Sequence, residues 1–279
     1  IDAIAEHRIP PALPVPAMIQ FMLQAPGAQQ ADYSTLKGIS YGASPISEKV
    51  LVEALRTFKC DFMQVYGLTE TTGAITILPP ADHDPDGPKK HLLRSAGKPI
   101  ANVDLRVVEP GTGRDSAEGA VGEVLIRSPQ NMKGYWGNDK ATRAAFEDDW
   151  FRSGDAGYLK DGYLFLHDRI KDMVLSGGEN IYPAEVENVL MQHPALADGA
   201  VIGVPDDTWG EAVKACVVLK PGAKAVAAEI IEFMRERLAH YKCPKSVDFL
   251  ETIPRNPTGK ILKRVLREPY WRGRERRIN

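Results

Sequence analysis

Apolar residues at Val50, Leu51, Ala54, Leu55 and Phe58 recur at three- and four-residue steps, the spacing of one helix face, and predict a helix over 47–58. The apolar run at 16–23 reads as a further helix, and the short runs at 36–41 and 61–66 read as strands. A polar loop follows at 67–73, and the Asp-, Pro- and Gly-rich stretch 79–90 reads as a surface loop. Residues 1–80 are therefore α/β in pattern. From 95 to 167 the pattern shifts to strands at 103–108, 123–128 and 163–167 separated by glycine turns, which predicts a small β-rich, barrel-like subdomain. Its one helix is 138–146, with Asn138 as N-cap. After Ile170 the order changes again. A helix at 183–192 carries Pro183 in its first turn, where a missing N–H costs nothing. Strands at 199–204 and 212–219, a helix at 225–238, a strand at 247–249 and a helix at 261–268 complete an α+β unit. The boundary falls at 169–171.

Composition changes this picture little. The 279 residues suffice for two such units, and 43% hydrophobic with 26% charged residues is ordinary for a globular chain. A formal net charge of −2 gives no case for nucleic acid as a partner. The exception is local: 263–279 carries about +5. It reads either as a solvated terminus or as weak peripheral contact with anionic lipid or a CoA phosphate. Cys60, Cys216 and Cys243 are scattered, odd in number and set among apolar neighbours, so they read as small core residues in a reducing compartment. With no 18-residue apolar stretch and no cleavable signal, the expectation is a cytoplasmic protein. The chain starts at Ile1 in the middle of a helical pattern, as a fragment would.

Several segments carry more chemistry than packing asks for. Tyr66-Gly67-Leu68-Thr69-Glu70-Thr71-Thr72-Gly73 directly follows a strand, where ligands of open α/β sheets bind. It offers a ring to stack on a base, hydroxyls for a phosphate and a carboxylate for Mg²⁺; a polar cap before a helix explains it equally well. Gly42-Ala43-Ser44-Pro45 also ends a strand, as a backbone surface for a planar ring or acyl chain or as a plain βα turn. Ser153-Gly154-Asp155 sets a carboxylate in a glycine turn, suited to vicinal ribose hydroxyls or to an Asx turn. Arg169 and Lys171, two apart in an extended segment, would share one face for a polyphosphate or for a reversible contact; a solvated linker is the alternative. Ser176-Gly177-Gly178 is a turn that a slim ligand can approach closely. Pro257-Thr258-Gly259-Lys260 presents a lysine from a stiff loop at the mouth of a helix. No Ser–His–acid order, zinc spacing or GxGxxG fingerprint is present, and the six histidines are scattered.

The order of these segments resembles one family. YGLTE, GEVLIRSPQNMKGYW (122–136), SGDAGY, DRIKDMVLSGGENIYPAEVE and PRNPTGKILK follow the sequence of motifs in the adenylate-forming superfamily of acyl-CoA synthetases, aryl-CoA ligases, luciferases and peptide-synthetase adenylation domains. The last two look most like fatty-acyl-CoA ligases. The resemblance implies ATP/AMP, Mg²⁺ and coenzyme A as ligands and a small carboxylic acid as substrate. A carboxylate attacks the α-phosphate of ATP to give acyl-AMP and pyrophosphate, and a thiol then displaces AMP. It further implies that Tyr66 stacks near adenine beside Gly67, Thr69 contacts the α-phosphate, and Glu70 holds Mg²⁺. Asp155 would bind ribose, Arg169 ribose or phosphate, and Gly42 and Ala43 would line the adenine and acyl side. Lys260 would bridge the carboxylate and the nucleotide. Lys171 matches the pivot about which the small domain turns between half-reactions, and Ser176, Gly177 and Gly178 would line the pantetheine tunnel.

In these terms 1–169 is the C-terminal portion of a large AMP-binding domain, its β-rich part at 95–168, and 170–279 is the small C-terminal domain. Two departures stand out. Asp168 occupies a position where many relatives have glycine. No Thr/Ser/Gly-rich phosphate loop ending in lysine precedes Tyr66, so the expectation is that these 279 residues alone do not complete adenylation. The alternatives are an aryl-acid CoA ligase or stand-alone adenylation domain, and a catalytically silent interaction module.

Overall fold

The computed structural model describes residues 1–256 and 259–274; Pro257 and Thr258 of the lysine loop, and 275–279 of the basic tail, lie outside the described residues. Two compact units form. One comprises Ile1–Ser153 and Gly157–Leu166, the other Gly154–Ala156 and the described residues from His167 onward.

The first unit opens with helices α1 (Asp2–Glu6) and α2 (Pro16–Gln24) around a short strand β1 (Pro11–Ala12). Strand β2 (Gly38–Gly42) runs through helix α3 (Glu48–Phe58) into β3 (Asp61–Leu68), a βαβ unit whose strands pair in parallel. The 47–58 periodicity is realised: Leu51, Ala54 and Phe58 are buried, and Ser47 caps the helix through its hydroxyl to the Val50 N–H. A strand that the sequence pattern did not separate, β4 (Gly73–Leu78), folds back antiparallel on β3, and β5 (Lys98–Pro99) closes the order β1-β2-β3-β4-β5. Tyr41, Phe58 and Phe62 fill the core beneath. His83 is a satisfied core histidine: Nδ1 donates to the Pro79 carbonyl, so Nε2 accepts from the Tyr41 hydroxyl at 3.0 Å. Burial holds its imidazole below the ordinary pKa.

A second sheet contains β6 (Asp104–Val108), β7 (Gly122–Arg127), β8 (Phe146–Glu147), β9 (Trp150–Lys160) and β10 (Tyr163–Arg169), in the order β10-β9-β7-β6 with β8 on β9. No closed barrel forms among the described residues, so the barrel-like expectation resolves to an open sheet. Helix α4 (Asp139–Ala145) is capped as predicted, by Asn138 Oδ1 accepting from the Ala141 N–H. The main correction is β9. Ser153-Gly154-Asp155 is not a turn but lies inside this eleven-residue strand, with Gly154 as a local positive-φ kink at +68°.

In the second unit, β11 (Val174–Ser176) and β12 (Glu179–Ile181) form a hairpin that leads into helix α5 (Pro183–Leu190). The long antiparallel pair β13 (Leu196–Asp206) and β14 (Gly210–Leu219) forms the centre, helix α6 (Ala227–Arg235) follows, and β15 (Ser246–Phe249) adds in parallel to β14. Helix α7 (Lys263–Trp271) ends the described chain. Alternation along the strands serves two layers. Val201, Val213, Ala215 and Val217 pack with Val186 and Leu190 of α5 and Ile230 and Met234 of α6. Ala200, Ile202, Ala212 and Cys216 face the other way and pack with Leu266 of α7. All three thiols are free, and burial pushes those of Cys60 and Cys216 up to about 11. Among the described residues, no helix is long and apolar enough to cross a membrane.

Candidate functional site

In the first unit the parallel pairing of β2 and β3 puts their carboxyl ends on one sheet edge, with Gly42 opposite Val65. Close approach there dictates glycine. A Cβ on Gly42 would meet the Val65 carbonyl oxygen at 2.2 Å, and one on Gly67 the Gly73 carbonyl oxygen at 1.8 Å. The next residue, Ala43, is exposed and sits at φ +66°. That left-handed backbone costs a non-glycine residue roughly 1 kcal/mol, and such strain clusters where ligands bind. Tyr66 lies at an irregularity of the β3–β4 register and packs against the core of Ile75, Val124 and Ile126.

Thr69 and Glu70 stand in a 3-10 turn, Thr69–Thr71, that leads into β4 rather than into a helix. The turn is held from inside by Thr71 Oγ1, which accepts from the Leu68 N–H at 3.0 Å. From outside it is held by the 130–135 loop. Met132 N–H donates to the Glu70 carbonyl at 2.6 Å, and Thr72 Oγ1 donates to the Gln130 carbonyl at 2.8 Å. The Tyr135 hydroxyl donates to Glu70 Oε1 at 2.9 Å. Burial and this carboxylate raise the Tyr135 phenol above its ordinary pKa. Tyr135 was not singled out from the sequence, although it lies in the 122–136 motif; nothing local signals a contact 65 residues away. Glu70 fits Mg²⁺ chemically: one aligned hard carboxylate together with substrate phosphates is a usual Mg²⁺ arrangement. Among the described residues, no cluster of three His, Cys, Asp or Glu side chains forms a protein-only cage.

In the second unit three charged candidates from distant segments converge. Asp155 of β9 pairs with Arg169, at the end of β10, with Oδ1 and Nε 3.3 Å apart. Lys260 stands within electrostatic reach of both. Loss of hydration, then repulsion from Arg169 and Lys171, lowers its ammonium pKa against the pull of Asp155 and Asp172. Its loop is well anchored. Lys260 N–H donates to Asn256 Oδ1 at 2.8 Å, and Asn256 N–H returns a bond to the Lys260 carbonyl at 2.9 Å. Arg255, unmarked in the sequence reading, forks onto Asp198 of β13 at 2.8 and 2.9 Å and also holds the Gly259 carbonyl. A lowered ammonium pKa means a larger neutral fraction at any given pH below it. Lys260 is therefore expected to react with an amine-directed acylating reagent at pH 8–9 faster than other exposed lysines, read by peptide mass spectrometry. Equal rates would count against the charge cluster.

Arg169 and Lys171 do not share one extended face, because Ile170–Asp172 coils into a 3-10 turn. The Gly177–Gly178 turn is a two-residue hairpin, with Ser176 opposite Glu179 and φ of +62° and +88°. Two successive positive φ values define the tight turn whose twist suits a hairpin. Exposed Trp209 lies against it: a Cβ on Gly177 would meet the indole at 2.7 Å.

A second charged group links this region to α7. Asp168 Oδ1 accepts from the Arg169 N–H at 2.7 Å, and Oδ2 from the Ala184 N–H of α5 at 2.9 Å and from Lys263 Nζ at 3.3 Å. Lys263 also pairs with Glu187 at 3.0 Å, whose Oε1 accepts from the Val201 N–H. Burial alone would pull the Lys263 ammonium down, but Glu187 and Asp168 outweigh it and hold it above its ordinary value. Burial, reinforced by Asp168, pushes the Glu187 carboxyl up despite Lys263. Arg267 pairs with Asp172 at 2.9 Å and donates to the Lys171 carbonyl at 3.0 Å.

Two family models match the chain: "AMP-binding enzyme" over residues 1–136 and "AMP-binding enzyme C-terminal domain" over residues 185–260. The chain is 45% identical over 280 residues to a fatty acid–[acyl-carrier-protein] ligase of Streptomyces coeruleorubidus, covering 100% of this chain and 53% of the relative. It is 41% identical over 269 residues to a long-chain-fatty-acid–CoA ligase of Mycobacterium tuberculosis, covering 96% and 51%. Its fold matches the o-succinylbenzoate CoA synthetase of Bacillus subtilis, solved with the acyl-adenylate intermediate OSB-AMP. That match has a TM-score of 0.82 and 34% identity, and covers 95% of this chain and 52% of the other. The chain spans about half the length of the curated relatives it matches. With both family models satisfied and the motifs in their order, the chain belongs to the AMP-binding, adenylate-forming enzymes.

Proposed function

We propose that the full-length protein is an acid–thiol ligase that activates a fatty acid with ATP and passes the acyl group to coenzyme A. The carboxylate oxygen attacks the α-phosphorus, the bond to the β-phosphate oxygen breaks, and pyrophosphate leaves. The thiol sulfur then attacks the acyl carbon, AMP departs, and the thiol proton goes to solvent. The observation that carries this reading is the convergence of Asp155, Arg169 and Lys260, a carboxylate and two cations drawn from segments up to 105 residues apart. A carboxylate suits ribose hydroxyls, and paired cations suit phosphate and the charge that builds on it. In the first unit, Tyr66, Gly67, Gly42 and Ala43 would receive the adenine and acyl side, and Thr69 the α-phosphate. Glu70, held by Tyr135, would hold Mg²⁺, which neutralises phosphate charge when bound. Lys171 would be the pivot between half-reactions, and Ser176–Gly178 would face the pantetheine arm.

The likeness to an o-succinylbenzoate CoA synthetase favours a second reading, an aryl-acid ligase, and the Streptomyces relative puts a carrier-protein thiol beside CoA as acceptor. One experiment separates these readings. AMP release by the full-length protein is measured with a panel of fatty and aryl acids, with CoA or with a phosphopantetheinylated carrier protein as thiol. Fatty-acid- and CoA-dependent AMP release is expected. An aryl-only or carrier-protein-only response would move the reading to that alternative, and no acid-dependent release at all would overturn it.

A further inference from the structure

We propose that Asp168 and Lys263 form a latch across the pivot, closed in the conformation described and obliged to open when the chain turns at Lys171; this rests on the reading of Lys171 as the pivot. The contacts sort by side. Asp168 lies upstream of Lys171, whereas two of its three partners, the Ala184 N–H and Lys263 Nζ, lie downstream. Only the Arg169 N–H would travel with it. Arg267 does the opposite job. It ties Asp172 and the Lys171 carbonyl to α7, so the downstream side of the pivot is fixed and rotation is confined to the residues before it.

The chemistry favours a contact that opens rather than a permanent one. Asp168 and Lys263 side chains are each 10% exposed, and an ammonium stripped of its only partner at such a site would resist opening. Lys263, however, keeps Glu187 at 3.0 Å, which lies downstream and stays with it. Asp168 in turn leaves α5 at its first turn, where freed N–H groups meet water. Asp168, which departs from the glycine that the family resemblance implies at this position, therefore has a task. A glycine there could not supply the latch, and the balance between the two half-reactions would shift.

The test uses the full-length protein with Asp168→Asn, which removes the charge but keeps an oxygen for the Ala184 N–H. Limited trypsinolysis after Arg169 and Lys171 reads the opening, because cleavage follows the open population when opening is fast. The expected result is cleavage about tenfold faster than wild type, from loss of a charged hydrogen bond, with the thermal midpoint of the whole protein little changed. Acyl-AMP formation should fall more than thioester formation from supplied acyl-AMP. With Asp168 kept, Lys263→Arg, which retains the charge, should leave cleavage slow, whereas Lys263→Met should speed it, a charge dependence that a merely space-filling role would not show. Should Asp168→Asn fail to fold, Asp168→Gly carries the same readout. Unchanged cleavage at 169–171 overturns the latch. Faster cleavage with both half-reactions falling equally keeps the latch and overturns Lys171 as the catalytic pivot.

Discussion

Replacing Lys260 with alanine in the full-length protein is expected to slow acyl-AMP formation by about 10²–10³-fold, the usual loss when one group stabilising transition-state charge is removed. Thioester formation from supplied acyl-AMP should fall far less. The asymmetry follows from where charge builds. In the first half-reaction a carboxylate meets a phosphate, and an ammonium between them offsets repulsion; in the second a thiol attacks a neutral acyl carbon. The structure also predicts that the variant folds. Lys260 is exposed, and the bonds that close its loop to Asn256 are made by its backbone N–H and carbonyl, which alanine retains. The anchor of Arg255 on Asp198 is untouched. Pyrophosphate exchange and single-turnover thioester assays read the two steps separately. Equal losses in both would remove Lys260 from the adenylation chemistry.

How much of this was legible depends on whether the signal is local. Helix α3 was, because its buried face repeats within eleven residues and Ser47 caps it; Asn138 before α4 was legible for the same reason. Strand β9 was not. Glycines at 154 and 157 break its alternation, and the sequence reads as a turn, whereas the chain keeps to the sheet and absorbs one positive φ at Gly154. The turn at Thr69–Thr71 misled in the other direction: its polar residues suit a helix cap, yet Gly73 starts a returning strand. Candidate site residues at strand ends, Gly42 and Tyr66 through Glu70, were readable from the rule that places ligands there. Their supports were not. Tyr135 on Glu70, Arg255 on Asp198 and Lys263 on Asp168 join residues 65, 57 and 95 positions apart, and one sequence carries no trace of such pairings. The face shared by Arg169 and Lys171 failed for a simpler reason, since a 3-10 turn replaces the extended backbone it assumed.

Asp155→Ala is expected to weaken ATP binding by about 10²-fold while leaving the apparent affinity for the acid within about twofold. A carboxylate holding two vicinal hydroxyls makes two charge-assisted hydrogen bonds, each contributing about 1.5–3 kcal/mol when made in a shielded site. Asp155 is 8% exposed, in strand β9, and its carboxylate is held beside the Arg169 guanidinium. Removing it also leaves Arg169 without its partner at 3.3 Å, and a freed guanidinium attracts phosphate. That gain opposes the loss, which is why Asp155→Ala should weaken nucleotide binding by less than the two bonds sum to. A nucleotide lacking both ribose hydroxyls distinguishes a direct contact from a structural one. If Asp155 holds the ribose, dideoxy-ATP binds wild type and variant alike, or binds the variant slightly better through the unpaired Arg169. Were the aspartate only a strut for the strand, calorimetry would show the same loss for ATP and for dideoxy-ATP, and the ribose assignment would fall.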